Sequence, residues 1–171
     1  DADLKVLKSV MDVNFWGTVY CTKYAMPELL KTQGVIVGVS YIAGYKGLPG
    51  RTGYSASKFA MNGFLDAIRV ENLKTGVHVL TACPGFTASN IRNTALDKEG
   101  HEQRESTLNE EKMMSSEAVA RRIVKGVEKR KRTLIMTGEG KLTVLVGKFF
   151  PKLLDKLVYN KLAKERNSLL R

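Results

Sequence analysis

An α/β fold built on a parallel sheet is predicted for this 171-residue chain from three observations. Short runs rich in Val and Ile alternate with longer segments of helical periodicity, the runs show no regular polar alternation, and the first two end in turns of small residues. A strand without polar alternation is buried on both faces, which is the habit of parallel sheets with helical crossovers. The length suffices for a sizeable core.

Residues 3–32 are expected to form a helix, with Leu4, Leu7, Val10, Met11, Trp16, Val19 and Tyr20 on one stripe and an end near Gly34. Val35 to Tyr41 reads as a strand, and Ile42-Ala43-Gly44 as the turn after it. Gly47 to Gly53 is a proline-bearing loop. A helix over 54–74 follows, closed by Gly76; then a strand over 77–82 that ends in Cys83-Pro84-Gly85. The Ser115-Ser116 pair supplies a cap for a helix over 116–130, and residues 133–137 form a third strand. Gly138-Glu139-Gly140-Lys141 lacks the spacer and following hydroxyl of a phosphate loop and is read as a turn.

The domain reading is one Rossmann-type unit over 1–140 and a tail over 141–171. Charge separates the two regions. Residues 1–120 carry 13 basic and 13 acidic side chains, whereas 121–171 carry 15 against 4, so the whole net charge of +11 arises there. The tail places Leu142, Leu145, Val146, Phe149, Phe150, Leu153, Leu154, Leu157, Val158 and Leu162 at three- and four-residue spacings among lysines 141, 148, 152, 156 and 161, and Pro151 opens a fresh helix at its first turn. Such a basic amphipathic segment suits an anionic membrane surface, and packing on the body or on a partner subunit accounts for the same stripe. Nucleic acid is not expected as a partner, because the aromatics lie on the apolar face rather than between lysines.

Every apolar run is too short to cross a bilayer, and no signal peptide, repeat or low-complexity segment is visible. Cys21 and Cys83 read as small buried residues in a reducing, cytoplasmic compartment, with peripheral membrane attachment as an added expectation. No metal is expected, since neither cysteine has ligand-type neighbours. His78 and His101 read as surface or structural histidines. Trp16 reads as part of a helix–helix core or dimer face.

The chemistry centres on Tyr54-Ser55-Ala56-Ser57-Lys58. Positions four apart share a helix face, so the ammonium can lie beside the phenol. A cation held there favours phenolate, and the tyrosine pKa, ordinarily near ~10, is expected to fall toward working pH. That is what a general acid/base requires.

With Met11-Asp12-Val13-Asn14, the turn ending in Ala43-Gly44, Y-S-A-S-K, and the strand end Pro84-Gly85 in this order and spacing, the chain resembles the short-chain dehydrogenase/reductase family, classical type. The resemblance implies a Rossmann-type doubly wound parallel sheet, an NAD or NADP cofactor (family habit leaning to NADP), and interconversion of a small carbonyl compound and its alcohol by hydride transfer. It also implies a homodimer or homotetramer formed through the 3–32 and 54–74 helices. Tyr54 would move the proton, and Lys58 would tune it and bind the nicotinamide ribose. Asn14 would hold a water linking the lysine to solvent. Pro84 and Gly85 would turn the chain under the nicotinamide, with the Thr87 backbone and Ser89 hydroxyl near its carboxamide. The family's substrate lid would lie between residues 97 and 112, its borders Phe86, Ile91, Met113 and Met114 lining the pocket.

Two departures from the family pattern stand out. Only thirteen residues precede Asn14, and no glycine-rich turn follows a strand, so the sequence reads as the C-terminal half of the fold without its dinucleotide-binding half. The family's serine, thirteen residues before the tyrosine, is here Tyr41. Ser40 is adjacent, but strand neighbours point to opposite faces. Tyr41 keeps a hydroxyl on a longer arm that could fill the carbonyl's place, so the expected activity is oxidoreductase chemistry, impaired or altered by Tyr41. A non-catalytic fragment or pseudoenzyme serving as an interaction or membrane-surface module is the alternative.

Overall fold

The structure, a computed structural model, describes residues 3–88, 100 and 113–163. The elements in chain order are α1 (Leu4–Met11), a π-helical segment (Asp12–Trp16), α2 (Gly17–Thr32), β1 (Val35–Val39), a short 3₁₀ turn (Ile42–Gly44), α3 (Thr52–Glu71), β2 (His78–Cys83), α4 (Ser116–Glu128), β3 (Thr133–Ile135), α5 (Gly138–Phe149) and α6 (Pro151–Ala163). The three strands pair in parallel in the order β1-β2-β3, with Val35 opposite His78 and Thr81 opposite Thr133.

β2 is buried along its whole length, His78 and Thr81 included, as a central parallel strand covered on both faces should be. On one face Met61 and Leu65 of α3 pack on Val79, with Ile36, Phe64 and Ile68 around them. On the other face Val119 of α4 packs with Ala82 and Met136. Helices therefore cover both faces of the sheet, the doubly wound arrangement. Arg69 fastens α3 to the central strand, its Nε donating to the Val79 carbonyl at 3.1 Å and an Nη to the Thr81 hydroxyl at 3.1 Å.

Caps account for several helix starts. Asp3 accepts from the Lys5 amide, Ser115 from Ala118 and Thr137 from Gly140, each relieving an amide that has no partner inside the helix.

Three expectations are corrected. The 3–32 helix is interrupted by the wider π turn of Asp12–Trp16, where one residue more per turn re-aims the side chains. The segment 138–141 is not a turn but the start of α5, because the Thr137 cap sets a helix going through its two glycines. Cys21 is exposed on α2, and only Cys83 is buried. As expected, Pro151 opens a fresh helix in the tail, α6, which follows α5 at Phe150. Ser89, Ile91, the 97–112 segment apart from Gly100, and His101 lie outside the described residues.

Candidate active site

The site is assembled where β1 and β2 end and α3 begins. After β1 the chain enters the 3₁₀ turn, which lies directly on α3. Asn62 donates to the Gly44 carbonyl at 3.0 Å, and a Cβ at Gly44 would stand 2.9 Å from the Lys58 carbonyl oxygen. Only glycine permits that approach. The Leu48 amide donates to the Ser55 hydroxyl at 3.1 Å, tying the following loop to the same helix end. Together these contacts hold Tyr41, at the end of β1, against Tyr54, in the first turn of α3.

Tyr41 and Tyr54 have ring centroids 6.2 Å apart, and Tyr41 lies 6.1 Å from Phe86 on its other side. Tyr41 thus stands between the tyrosine that would move the proton and the first apolar residue after Gly85. Ser40 is buried, with its hydroxyl beside the Cys83 thiol.

Lys58 is almost wholly buried. Its Nζ donates to the Val39 carbonyl at 3.1 Å and lies 5.8 Å from the centroid of the Tyr54 ring. The ammonium therefore sits against the ring, directed to the strand end. The tyrosine's shift runs opposite to the expected direction, and burial is its main cause. Burial pushes the Tyr54 phenol up to about 12, the neighbouring Tyr41 phenol adds to the push, and Arg51 opposes it. Burial also lowers the Lys58 ammonium from its usual value, and raises the Cys83 thiol beside it to about 11. At neutral pH Tyr54 is a protonated phenol, an acid with its proton in place.

Asn14 reaches the site from the π segment. Its Nδ2 donates to the Ser57 hydroxyl at 3.1 Å, and that hydroxyl donates to the Tyr54 carbonyl at 2.8 Å. Phe15 packs edge-on against Phe64 of α3 at 6.3 Å, so the widened turn docks two successive side chains on one helix. Ser57, completely buried, is the participant that the sequence reading passed over. Its signal was there: a small polar residue between Tyr54 and Lys58 on a helix that must receive Asn14.

Beyond β2, a Cβ at Gly85 would come within 2.4 Å of Thr137 Cγ2, so this turn passes close under the start of α5. Thr87 donates its hydroxyl to the Gly85 carbonyl at 3.0 Å. The Met114 amide donates to the Phe86 carbonyl and the Ala88 amide to the Met114 carbonyl, both at 2.9 Å. These bonds bring Met113 and Met114 alongside Phe86–Ala88. Of the sequence-predicted site residues, Asn14, Tyr41, Tyr54, Lys58, Phe86 and the Pro84–Thr87 turn are gathered at one end of the sheet, and Met113 adjoins that turn. Among the described residues, no three His, Cys, Asp or Glu side chains gather into a cluster that could hold a metal.

A family model described as short chain dehydrogenase matches residues 1–100. The chain belongs to the short chain dehydrogenase family. Among its relatives, dehydrogenase/reductase SDR family member 7B of Mus musculus is 29% identical over 98% of this chain and 53% of its own length. The 11-beta-hydroxysteroid dehydrogenase 1A of Arabidopsis thaliana is 31% identical over 90% of this chain and 45% of its own. The fold matches that of a short chain dehydrogenase from Burkholderia cenocepacia J2315, solved in complex with NADP, with a TM-score of 0.74 at 20% identity, over 91% of this chain and 60% of that one. The chain spans about half the length of the curated relatives it matches.

The raised Tyr54 pKa has a measurable consequence. In the difference between ultraviolet pH titrations of the chain and its Tyr54→Phe variant, the Tyr54 phenol is expected to ionise near pH 12, about two units above a free tyrosine. The folded state then holds this proton longer than the unfolded chain does, so its contribution to stability is lost as pH rises from ~10 toward the folded value. A difference spectrum with a midpoint below ~10 would contradict the effect of burial on the Tyr54 phenol.

Proposed function

We propose that this short-chain dehydrogenase uses NAD or NADP to interconvert a carbonyl compound and its alcohol, with Tyr54 as the proton donor in the reducing direction. The observation that carries the reading is Tyr54 itself: half-buried, its phenol pushed above the ordinary tyrosine range by burial, and set beside a buried lysine at the ends of two parallel strands. In open α/β sheets that end is where ligands bind. NADP is favoured over NAD only because the solved neighbour was bound to it.

The residues present fit the nicotinamide end of such a cofactor. Lys58 has three donors, of which the Val39 carbonyl takes one and the Met61 sulfur, at 3.9 Å, accepts weakly. A donor remains for a ribose hydroxyl. The close turn at Gly85 offers backbone for a carboxamide. When bound, the cofactor supplies or accepts the hydride; the chain's own part is the proton. Tyr54 donates it to the carbonyl oxygen as negative charge develops there, and the Lys58 cation, 5.8 Å from the ring, then stabilises the phenolate left behind. Asn14 and Ser57 hold the first turn of α3 in place beneath this step. Tyr41, Phe86 and Met113 would form an apolar approach, which suits a hydrophobic carbonyl compound of medium size, and Tyr41 would limit the reaction by crowding the carbonyl.

The oligomer is part of the same proposal. Val13, Trp16, Tyr20 and Tyr24 on the first helical arm, and Phe59 and Val70 on α3, are exposed, with Trp16 stacked on Tyr20 at 5.8 Å. Large exposed apolar residues on neighbouring helices suit a homodimer or homotetramer. Cys21 and Cys83 are both free thiols, which suits a reducing cytoplasmic location.

The test is turnover by the chain joined to the dinucleotide-binding half of a relative, assayed with NADPH and NADH against a panel of apolar ketones and aldehydes. Consumption of reduced cofactor that depends on the carbonyl compound is expected. Tight cofactor binding without turnover by the parent or by its Tyr41→Ser variant would replace this reading with that of a binding module.

A further inference from the structure

The hairpin of α5 and α6 has two unlike faces. Its inner face is covered: Gly140 at the start of α5 is buried beside Ile135 and Ile42 of the body, Leu154 of α6 is buried against Gly147 of α5, and Lys46, which follows the 3₁₀ turn, pairs with Asp155. Its outer face carries Leu142, Leu145 and Phe149 in α5, then Phe150 at the joint and Leu153 and Leu157 in α6, two rows at the same spacing of three and four residues. These six side chains are between 50% and 64% exposed. Single exposed apolar residues are ordinary, but six adjoining ones mark an interaction surface.

Charge indicates what that surface meets. Lys141 and Lys148 flank the row in α5, and Lys152 and Lys156 flank it in α6, by the helical period. The hairpin's two carboxylates are already engaged, Glu139 with Lys161 and Asp155 with Lys46, so its outer face is basic. A second copy docked on this face would bring the same lysines together, and like charges oppose that pairing. An anionic surface with an apolar interior accepts both features at once. No helix among the described residues is long and apolar enough to cross a membrane.

We propose that the α5–α6 hairpin is a peripheral membrane-binding surface for anionic lipid, with Phe149, Phe150 and Leu153 entering the boundary between headgroups and acyl chains while the flanking lysines contact headgroups. The proposal is independent of catalysis. It implies binding with two parts: an electrostatic part that salt screens within a Debye length, and an apolar part that salt leaves in place.

The experiment is co-sedimentation of the 171-residue chain with vesicles of phosphatidylcholine alone or with about one third phosphatidylserine, at low and high salt. The parent is expected to partition at least about tenfold better onto phosphatidylserine vesicles, with high salt reducing the binding without abolishing it. A Lys148→Glu/Lys152→Glu variant should lose the preference for anionic vesicles. A Phe149→Glu/Leu153→Glu variant should lose the salt-resistant part, with circular dichroism showing that both variants keep the parent's fold. The comparison of the two vesicle types needs no variant. Parent protein that stays in the supernatant with phosphatidylserine, or that binds both vesicle types equally, overturns the proposal. So does a parent that self-associates in sedimentation velocity and is dissociated by the Phe149→Glu/Leu153→Glu change, without binding lipid.

Discussion

Replacing Tyr54 with phenylalanine, in the chain joined to a dinucleotide-binding half, is expected to lower kcat/KM for carbonyl reduction by at least about 10²-fold, the lower end of what a positioned proton donor contributes. The ring stays, so its contact with Tyr41 at 6.2 Å and the cation of Lys58 against its face are kept. Only the hydroxyl is lost. Cofactor affinity measured by fluorescence titration should change little, because Lys58 remains in place on the Val39 carbonyl. A variant with the parent's turnover would remove Tyr54 from the chemistry. One that loses turnover together with cofactor binding would assign it to binding instead.

Tyr41→Ser is expected to act in the opposite direction. Tyr41 lies between Tyr54 and Phe86, at the position where the family resemblance calls for a short hydroxyl aimed at the substrate carbonyl. Losing such a donor typically costs ~10²–10³ in rate, so restoring it and clearing the ring should raise kcat/KM by roughly tenfold or more. Two further signs separate this from a general loosening. The Tyr54 pKa should fall, because the Tyr41 phenol helps hold it up. Thermal stability should fall as well, since two ring contacts worth roughly 0.5–1.5 kcal/mol each are removed. Equal rates in parent and variant would show that Tyr41 obstructs nothing.

Much of the fold could be read in advance because its determinants are local. The Val/Ile runs at 35–39 and 78–83 became parallel strands, and Pro151 became the first residue of a helix. The gathering of Asn14, Tyr41, Tyr54 and Lys58 followed from a resemblance of order and spacing. What could not be read depends on three-dimensional placement. No residue type marks a π turn in the sequence, so Asp12–Trp16 looked like ordinary helix. The direction of the Tyr54 shift is set mainly by how far the phenol is buried, which four-residue spacing to a lysine does not reveal. The tail's broad apolar stripe could not be divided into a packed row, with Leu154 at its centre, and an exposed row until the body beneath it was placed. Cys21 was judged by its type alone, and it lies on a face that the described fold leaves open.

The most direct measurement of the central claim, that Tyr54 is a protonated acid poised for carbonyl reduction, is the pH dependence of kcat/KM for that reaction in the joined chain, with the Tyr54→Phe variant as reference. A phenol held near 12 keeps its proton across the working range, so the account predicts a parent rate that is level from about pH 6 to about pH 10 and falls only above that, as the free-enzyme acid ionises. The variant should show a low rate without that fall. A parent rate that already declines between about pH 7 and about pH 8 would mean that the acid is ionised near neutrality. That result would contradict the account.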